Sequence, residues 1–175
     1  DVKLRVGGGG VRMSEALGAV PVAMPASQAY EAISKGVADG AMFPYESIAG
    51  FRLGELVDYH LSIPGGLYTT PFVIMMNQAK YDSMPADLQA ALDEAGGING
   101  AKLLGAGWDE ADRVGMQRAI DGGGTITTLS DAELTRWADQ ISFMEADWIG
   151  RADARGLDGA ALLDDLKATF GKYNN

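Results

Sequence analysis

Short apolar segments and helix-compatible segments alternate through the first quarter of the chain. The predicted strands of this region are Val2–Val6, Val20–Met24 and Val37–Phe43. The predicted helices between them are Val11–Leu17 and Ser27–Lys35. Each helix is followed by a glycine, Gly18 or Gly36, which is the residue that most often ends a helix. This strand–helix–strand–helix–strand order predicts an α/β fold with a largely parallel or mixed sheet.

The middle of the chain carries two more predicted strands, Leu56–Ile63 and Tyr68–Asn77, separated by Gly65 and Gly66. Within the second of these, Phe72–Met76 is continuously apolar. A strand without alternation is typical of one that is covered on both faces. We therefore predict that Phe72–Met76 is buried inside a sheet.

The second half of the chain is mainly helical in its pattern. A helix is predicted from Pro85, and a glycine-rich helical pattern continues through Trp108 to Ile120, which predicts a kink or close helix packing. After the break at Gly122–Gly124, Thr125–Leu129 is a short predicted strand. A capping box at Ser130–Glu133 starts a helix whose apolar residues continue to Ile149. The last predicted helix is Ala160–Tyr173, so long helices close the chain.

Charge and composition narrow the class of protein. The 175 residues carry a formal net charge of -10 and contain no cysteine. Such a chain repels nucleic acid and anionic lipid, and the lack of cysteine excludes disulfides and thiolate chemistry. Hydrophobic residues make up 47% of the chain, but no apolar run reaches the roughly 20 residues of a membrane span. We predict no nucleic-acid partner and no direct membrane insertion.

The residue pattern does not favour an enzyme. His60 is the only histidine, and its position predicts a partly exposed strand residue. The run Gly7–Gly10 lacks the lysine of a phosphate loop and the spacing of a dinucleotide loop. Asp121–Gly124 lacks the further acidic residues of a calcium loop. We predict no catalytic residue, no cofactor and no metal, and an α/β enzyme is the weakest of the alternatives.

Candidate binding chemistry gathers near the ends of the predicted strands. Arg5 is next to the end of the first strand, where a guanidinium can present a planar fork to an anion. Clefts at the carboxyl ends of strands are the usual ligand sites of open α/β sheets. The aromatic residues Phe43, Tyr45 and Tyr68 also lie near strand ends. Taken singly, each has a commoner explanation, namely a surface ion pair for the arginine and packing for the aromatic rings.

Four sequence blocks in order resemble one family. Val2–Val6 resembles the Gly-Leu-Lys-Ile-Arg strand, and Ala16–Val22 resembles the Leu-Gly-Ala-x-Pro-Val step, of solute-binding proteins from tripartite ATP-independent periplasmic (TRAP) transporters. Tyr30–Gly40 is similar to that family's Tyr-x-Ala-Leu-x-x-Gly-Val-x-Asp-Gly unit. Met76–Gln89 is similar to its Met-Asn-x-x-x-Tyr-Asp-x-Leu-Pro-x-Asp-Leu-Gln segment.

The resemblance implies a periplasmic binding protein fold with two hinged lobes, of which this chain is the second part. It opens directly on a strand without a visible signal peptide, so we expect the first part to lie upstream. Residues 1–67 are then expected to form the second-lobe core with the ligand arginine. Residues 68–120 supply a hinge strand and helices to the first lobe, and residues 121–175 pack back on the second lobe.

The resemblance also implies a site and partners. Arg5 matches the family arginine that binds the ligand carboxylate, and Phe43 stands where sialic-acid binders have asparagine, which favours a smaller or aromatic acid. Tyr45 extends this wall, and Tyr68 and Thr69 supply hydrogen bonds or hinge motion. We expect a small carboxylate ligand, TRAP membrane subunits as partners and a periplasmic location.

Two further expectations concern an alternative function and the behaviour of the partial chain. A sensor module of the same fold that feeds a signalling partner is the alternative function. Strands that lack their neighbours leave open edges, so we also expect self-association of the partial chain, or disorder and cleavage between Tyr68 and Asn99.

Overall fold

The computed structural model describes residues 1–67 and 71–173. Its first sheet contains the strands β1 (Lys3–Val6), β2 (Val20–Ala23) and β3 (Gly40–Ala41). They are parallel and run in the order β2-β1-β3, so that Arg5 in the central strand lies opposite Val22 and Ala41. The predicted alternation of strands and helices in the first 45 residues and the parallel sheet are confirmed, although β3 is shorter than expected.

The helices α1 (Val11–Ala16) and α2 (Ala29–Ser34) connect these strands. Gly18 and Gly36 follow them with φ angles of 85° and 68°, which only glycine adopts without strain. The side chains that meet between the helices and the sheet are small or flexible, and the buried ones include Val6, Met13, Ala29, Ala32 and Ala38.

A second, two-stranded sheet joins distant parts of the sequence. Its strands β4 (Tyr59–Ser62) and β5 (Thr125–Thr128) are parallel, with Tyr59 opposite Thr125. The connection between them includes the 25-residue helix α6 (Gly97–Asp121). The end of α6 packs against α3 (Glu46–Gly50), where Gly115 and Ala119 are buried. The prediction of close packing in the glycine-rich helix is confirmed, and the α/β fold class is confirmed with it.

The predicted buried strand at Phe72–Met76 is wrong for this chain. Residues 71–77 have no strand pairing, and the side chains from Phe72 to Met76 are 50% to 85% exposed. A strand exists only through hydrogen bonds to a neighbour, and no described strand runs beside this segment. The first residues of the predicted strand, Tyr68 to Thr70, lie outside the described residues.

Most of the remaining described residues belong to helices. The short helix α4 (Gln78–Asp82) and α5 (Ala86–Ala95) precede α6. Three helices follow β5, namely α7 (Asp131–Ile141), α8 (Phe143–Asp153) and α9 (Gly159–Tyr173). None of the helices in the part of the chain that the structure describes is long and apolar enough to cross a bilayer.

The C-terminal helices agree with the predicted starts but not with every predicted length. The Ser130 hydroxyl accepts a hydrogen bond from the Glu133 amide at 3.4 Å, as expected of the capping box. The single helix expected to continue to Ile149 is interrupted at Ser142, whose hydroxyl donates to the Asp139 carbonyl. The predicted division into three regions stays a prediction.

Candidate functional site

Arg5 is buried at the carboxyl half of the central strand, with a residue exposure of 4%. Its Nε and Nη2 groups donate hydrogen bonds of 3.2 and 2.9 Å to the Met24 carbonyl, which lies just after β2. A buried guanidinium is costly unless polar groups satisfy it. The more usual role of an arginine in an exposed surface ion pair is therefore wrong for Arg5.

Phe43 lies directly beside this guanidinium. The Arg5 Cζ atom is 4.2 Å from the centre of the Phe43 ring, well inside the range of a cation–π interaction. The ring belongs to the short connection between β3 and α3, and β3 is the neighbour of β1, so the sheet itself brings the two side chains together. The structure thus brings together Arg5 and Phe43, two of the residues that were predicted to form the site.

Phe51 extends the stack and was not singled out from the sequence. It stands at the end of α3, and its ring stacks on Phe43 with a centroid distance of 5.4 Å and an interplanar angle of 25°. The Arg5 guanidinium and the Phe51 ring thus both contact the Phe43 ring. The only sequence signal was a second phenylalanine on the far side of a short helix.

Tyr45 contacts a different residue, His60. The two rings are 6.5 Å apart, and the Tyr45 hydroxyl and His60 Nε2 are both buried without a hydrogen-bond partner among the described residues. Burial lowers the pKa of His60 from its ordinary value of 6.5, against a weaker opposing effect of the Asp58 charge. His60 is therefore a half-buried residue of β4, and its neutral form is favoured in the folded chain.

The remaining predicted site residues, Tyr68 and Thr69, lie outside the described residues. Their roles, and those of Phe43 and Tyr45 toward a ligand, stay predictions. What the structure supplies is the arrangement of Arg5 and its aromatic neighbours at the end of the first sheet.

A groove of about 610 Å³ between α3 and α6 lies apart from this stack. Its charged lining residues are Arg52, Arg113, Arg118, Glu55 and Asp121. Arg52 pairs with Glu55 at 2.9 Å, and Arg113 pairs with Glu110 at 2.6 Å. Neither Arg5 nor Phe43 lines it. Arg5 remains the candidate anion anchor because it is buried beside Phe43 at the end of the first sheet.

The parallel sheet carries a buried arginine near the end of its central strand, and comparison with known proteins gives the family of the chain. Residues 1–146 match the family described as bacterial extracellular solute-binding protein, family 7. The chain belongs to this family of periplasmic transport proteins, which is not a family of enzymes.

Two curated relatives illustrate the match. A solute-binding protein of Verminephrobacter eiseniae is 36% identical over 100 residues, which are 57% of this chain and 29% of that protein. The C4-dicarboxylate-binding periplasmic protein DctP of Rhodobacter capsulatus is 27% identical over 81% of this chain and 42% of its own length. The chain thus spans less than half the length of these relatives.

Solved structures show the same fold along almost the whole chain. A marine metagenome TRAP solute-binding protein specific for aromatic acid ligands, in complex with metahydroxyphenylacetate, is 41% identical, has a TM-score of 0.92 and matches 99% of this chain and 56% of its own. A TRAP solute-binding protein of Rhodoferax ferrireducens in complex with benzoate is 33% identical, with a TM-score of 0.91 over 99% of this chain and 55% of its own. The corresponding protein of Bordetella bronchiseptica with bound mandelate is 31% identical, with a TM-score of 0.89 over 98% of this chain and 55% of its own.

Proposed function

We propose that this chain is part of the solute-binding subunit of a TRAP-type transporter that captures a small aromatic carboxylate in the periplasm and delivers it to membrane subunits. The observation that carries the proposal is the buried Arg5 guanidinium against the Phe43 ring. A planar cation beside a planar apolar surface suits a ligand with a carboxylate attached to a ring.

The electrostatics of the chain support a specific anion site. With a net charge of -10, the protein does not attract anions in general. An anionic ligand therefore needs a fixed cation, and the Met24 carbonyl and the Phe43 ring hold Arg5 in one orientation. Since a guanidinium and a carboxylate form parallel hydrogen bonds, fixing the guanidinium lowers the cost of ordering it when the ligand binds.

The ligand class follows from Phe43 together with the relatives. The similar structures contain metahydroxyphenylacetate, benzoate and mandelate, each a carboxylate with an aromatic ring. Phe43 and Phe51 form a stacked pair that stays partly exposed, so part of their apolar surface can contact such a ring. Ligand binding then favours the closed arrangement of the two lobes, and exclusion of water strengthens the Arg5 ion pair.

The test is calorimetric titration of the full-length polypeptide with benzoate. We expect Arg5→Ala to lower affinity by at least about 30-fold, because it removes the charged partner of a desolvated carboxylate. Arg5→Lys keeps the positive charge but loses the two parallel hydrogen-bond donors of the guanidinium, and is expected to lower the affinity for benzoate by about tenfold.

The matched control is Arg136→Ala, which removes an exposed arginine paired with Glu133 on α7. Its affinity for benzoate should equal that of the unmodified protein. Unchanged affinity in Arg5→Ala would show that the anion binds elsewhere and would overturn the proposal.

A further inference from the structure

The aromatic wall of the site depends on the short helix α3. Phe43 is three residues before α3, and Phe51, on which it stacks, follows the last residue of that helix. Whatever fixes α3 therefore fixes the ring that lies against Arg5. The helix has only five residues and gains no side-chain cap from Tyr45, so its position depends on contacts with other elements.

One such contact is a backbone approach by α6. A Cβ atom built on Gly115 would lie 1.9 Å from the Tyr45 carbonyl oxygen and 3.1 Å from the Glu46 amide nitrogen. No side chain fits in that space, so α6 touches the Tyr45–Glu46 peptide through the glycine itself. This peptide is at the start of α3, two residues after Phe43.

A second contact comes from the same face of α6, one turn earlier. The Glu46 amide donates a hydrogen bond of 2.7 Å to Oδ1 of Asp112. The first amides of a helix have no partner within the helix, and a carboxylate is a strong acceptor for them. Asp112 thus supplies from α6 the cap that α3 lacks in its own sequence.

We propose that Asp112 and Gly115 are positioning residues of the ligand site, which act by holding α3 and thereby the orientation of Phe43 toward Arg5. This proposal rests on the proposed function, because it assumes that the ligand ring lies against Phe43. It makes α6 part of the binding mechanism, so that a displacement of this long helix changes the aromatic wall. Neither residue touches the ligand in this mechanism.

The experiment separates positioning from plain stability through ligand selectivity. Benzoate and cyclohexanecarboxylate share the carboxylate and differ in the planarity of the ring, so the ratio of their affinities reports the fit of the ring against Phe43. In the full-length polypeptide, we expect Asp112→Ala to lower the affinity for benzoate by about tenfold. The affinity for cyclohexanecarboxylate should fall less, so that the ratio of the benzoate affinity to the cyclohexanecarboxylate affinity decreases. Asp112→Asn keeps an oxygen acceptor at the same place and should restore the ratio.

Gly115→Ala should reduce the ratio further, because its methyl group displaces the Tyr45 carbonyl. The matched control is Gly150→Ala in α8, where an added Cβ meets nothing within 4 Å. Asp139→Ala on α7, an exposed residue, is the control for loss of an aspartate. Both controls should keep the ratio of the unmodified protein. If Gly115→Ala does not fold, the comparison of the two Asp112 variants decides the question.

An unchanged ratio in Asp112→Ala, even with a lower melting temperature, would show a purely structural role and overturn the positioning proposal. The proposal would also be contradicted if the affinity ratio fell as much in Asp112→Asn as in Asp112→Ala. These outcomes are distinct from failure of the proposed function, which is detected by Arg5→Ala binding benzoate normally. Absence of benzoate binding to the unmodified protein would overturn both.

Discussion

The contact between Arg5 and Phe43 is open to a direct energetic test with Phe43→Leu. Leucine keeps an apolar side chain at the position but removes the flat π surface together with some side-chain volume. The change therefore eliminates the cation–π contact at 4.2 Å and the stacking with Phe51 at 5.4 Å, while apolar burial is largely kept.

The expected loss of stability follows from these two contacts. A cation–π pair with a desolvated guanidinium is worth about 2 kcal/mol, and Arg5 is only 4% exposed. A stacked aromatic pair adds roughly 0.5–1.5 kcal/mol beyond its buried area. We expect Phe43→Leu to lower the free energy of unfolding by about 2.5–3.5 kcal/mol.

The assay is urea unfolding of the ligand-free polypeptide in a double-mutant cycle with Arg5→Met. Methionine fills much of the volume of the arginine stem without its charge, so the cycle isolates the interaction of the guanidinium with the ring. The coupling free energy should be about 1–2 kcal/mol. Coupling below about 0.3 kcal/mol, the limit for independent sites, would refute the account of the buried stack.

A matched control is available in the same chain. Arg12 lies over the Phe143 ring at 4.7 Å, but its side chain is 61% exposed and also pairs with Asp147. An exposed cation–π contact is worth only about 0.5–1 kcal/mol. Phe143→Leu should therefore lower the free energy of unfolding clearly less than Phe43→Leu does. Equal losses would show that burial does not strengthen the contact.

Two further predictions concern the junction of α6 with β4 and β5. In Gly124→Ala the new Cβ would lie 2.8 Å from the Ala119 carbonyl oxygen and 2.9 Å from His60 Nε2. The melting temperature should therefore fall, and the free energy of unfolding should decrease by about 1–3 kcal/mol. A shift in melting temperature no larger than that of Gly150→Ala would contradict this prediction. The folded-state pKa of His60 is below its ordinary value of 6.5 because of burial. Its contribution to stability is therefore complete above pH 6.5 and is lost as the pH falls below it, and melting curves from pH 8 to 5 should show a smaller pH dependence in His60→Gln. Identical pH dependence in both proteins would refute the role of His60.

The first sheet was predictable because its signals are local. Gly18 and Gly36 end helices by their own backbone freedom, and the alternation of Val2–Val6 favours an extended chain whatever surrounds it. Parallel pairing then follows from the strand–helix order. The association of Arg5 with Phe43 was within reach of the same reasoning, since both residues lie at the ends of strands that become neighbours.

For other features the local sequence signal was either misleading or absent. The apolar pattern of Phe72–Met76 predicted a covered strand, yet nothing in the described residues pairs with it, because pairing depends on a partner elsewhere in the polypeptide. Phe51 joins the stack only because the chain folds through α3 so that the two phenylalanine rings meet. The hydrogen bond of Asp112 to Glu46 spans 66 residues and cannot be inferred from spacing.

The sequence by itself determined the alternation of strands and helices in the first sheet, the ends of its two helices and the presence of one arginine at the end of the central strand. Only the tertiary structure decided that Arg5 is buried against a phenylalanine pair and that α6 holds the start of α3 through Asp112 and Gly115. The physical reason is the distance along the chain over which each effect acts. Backbone preference and side-chain periodicity act over a few residues, whereas burial and capping by a distant helix depend on which surfaces meet when the chain packs.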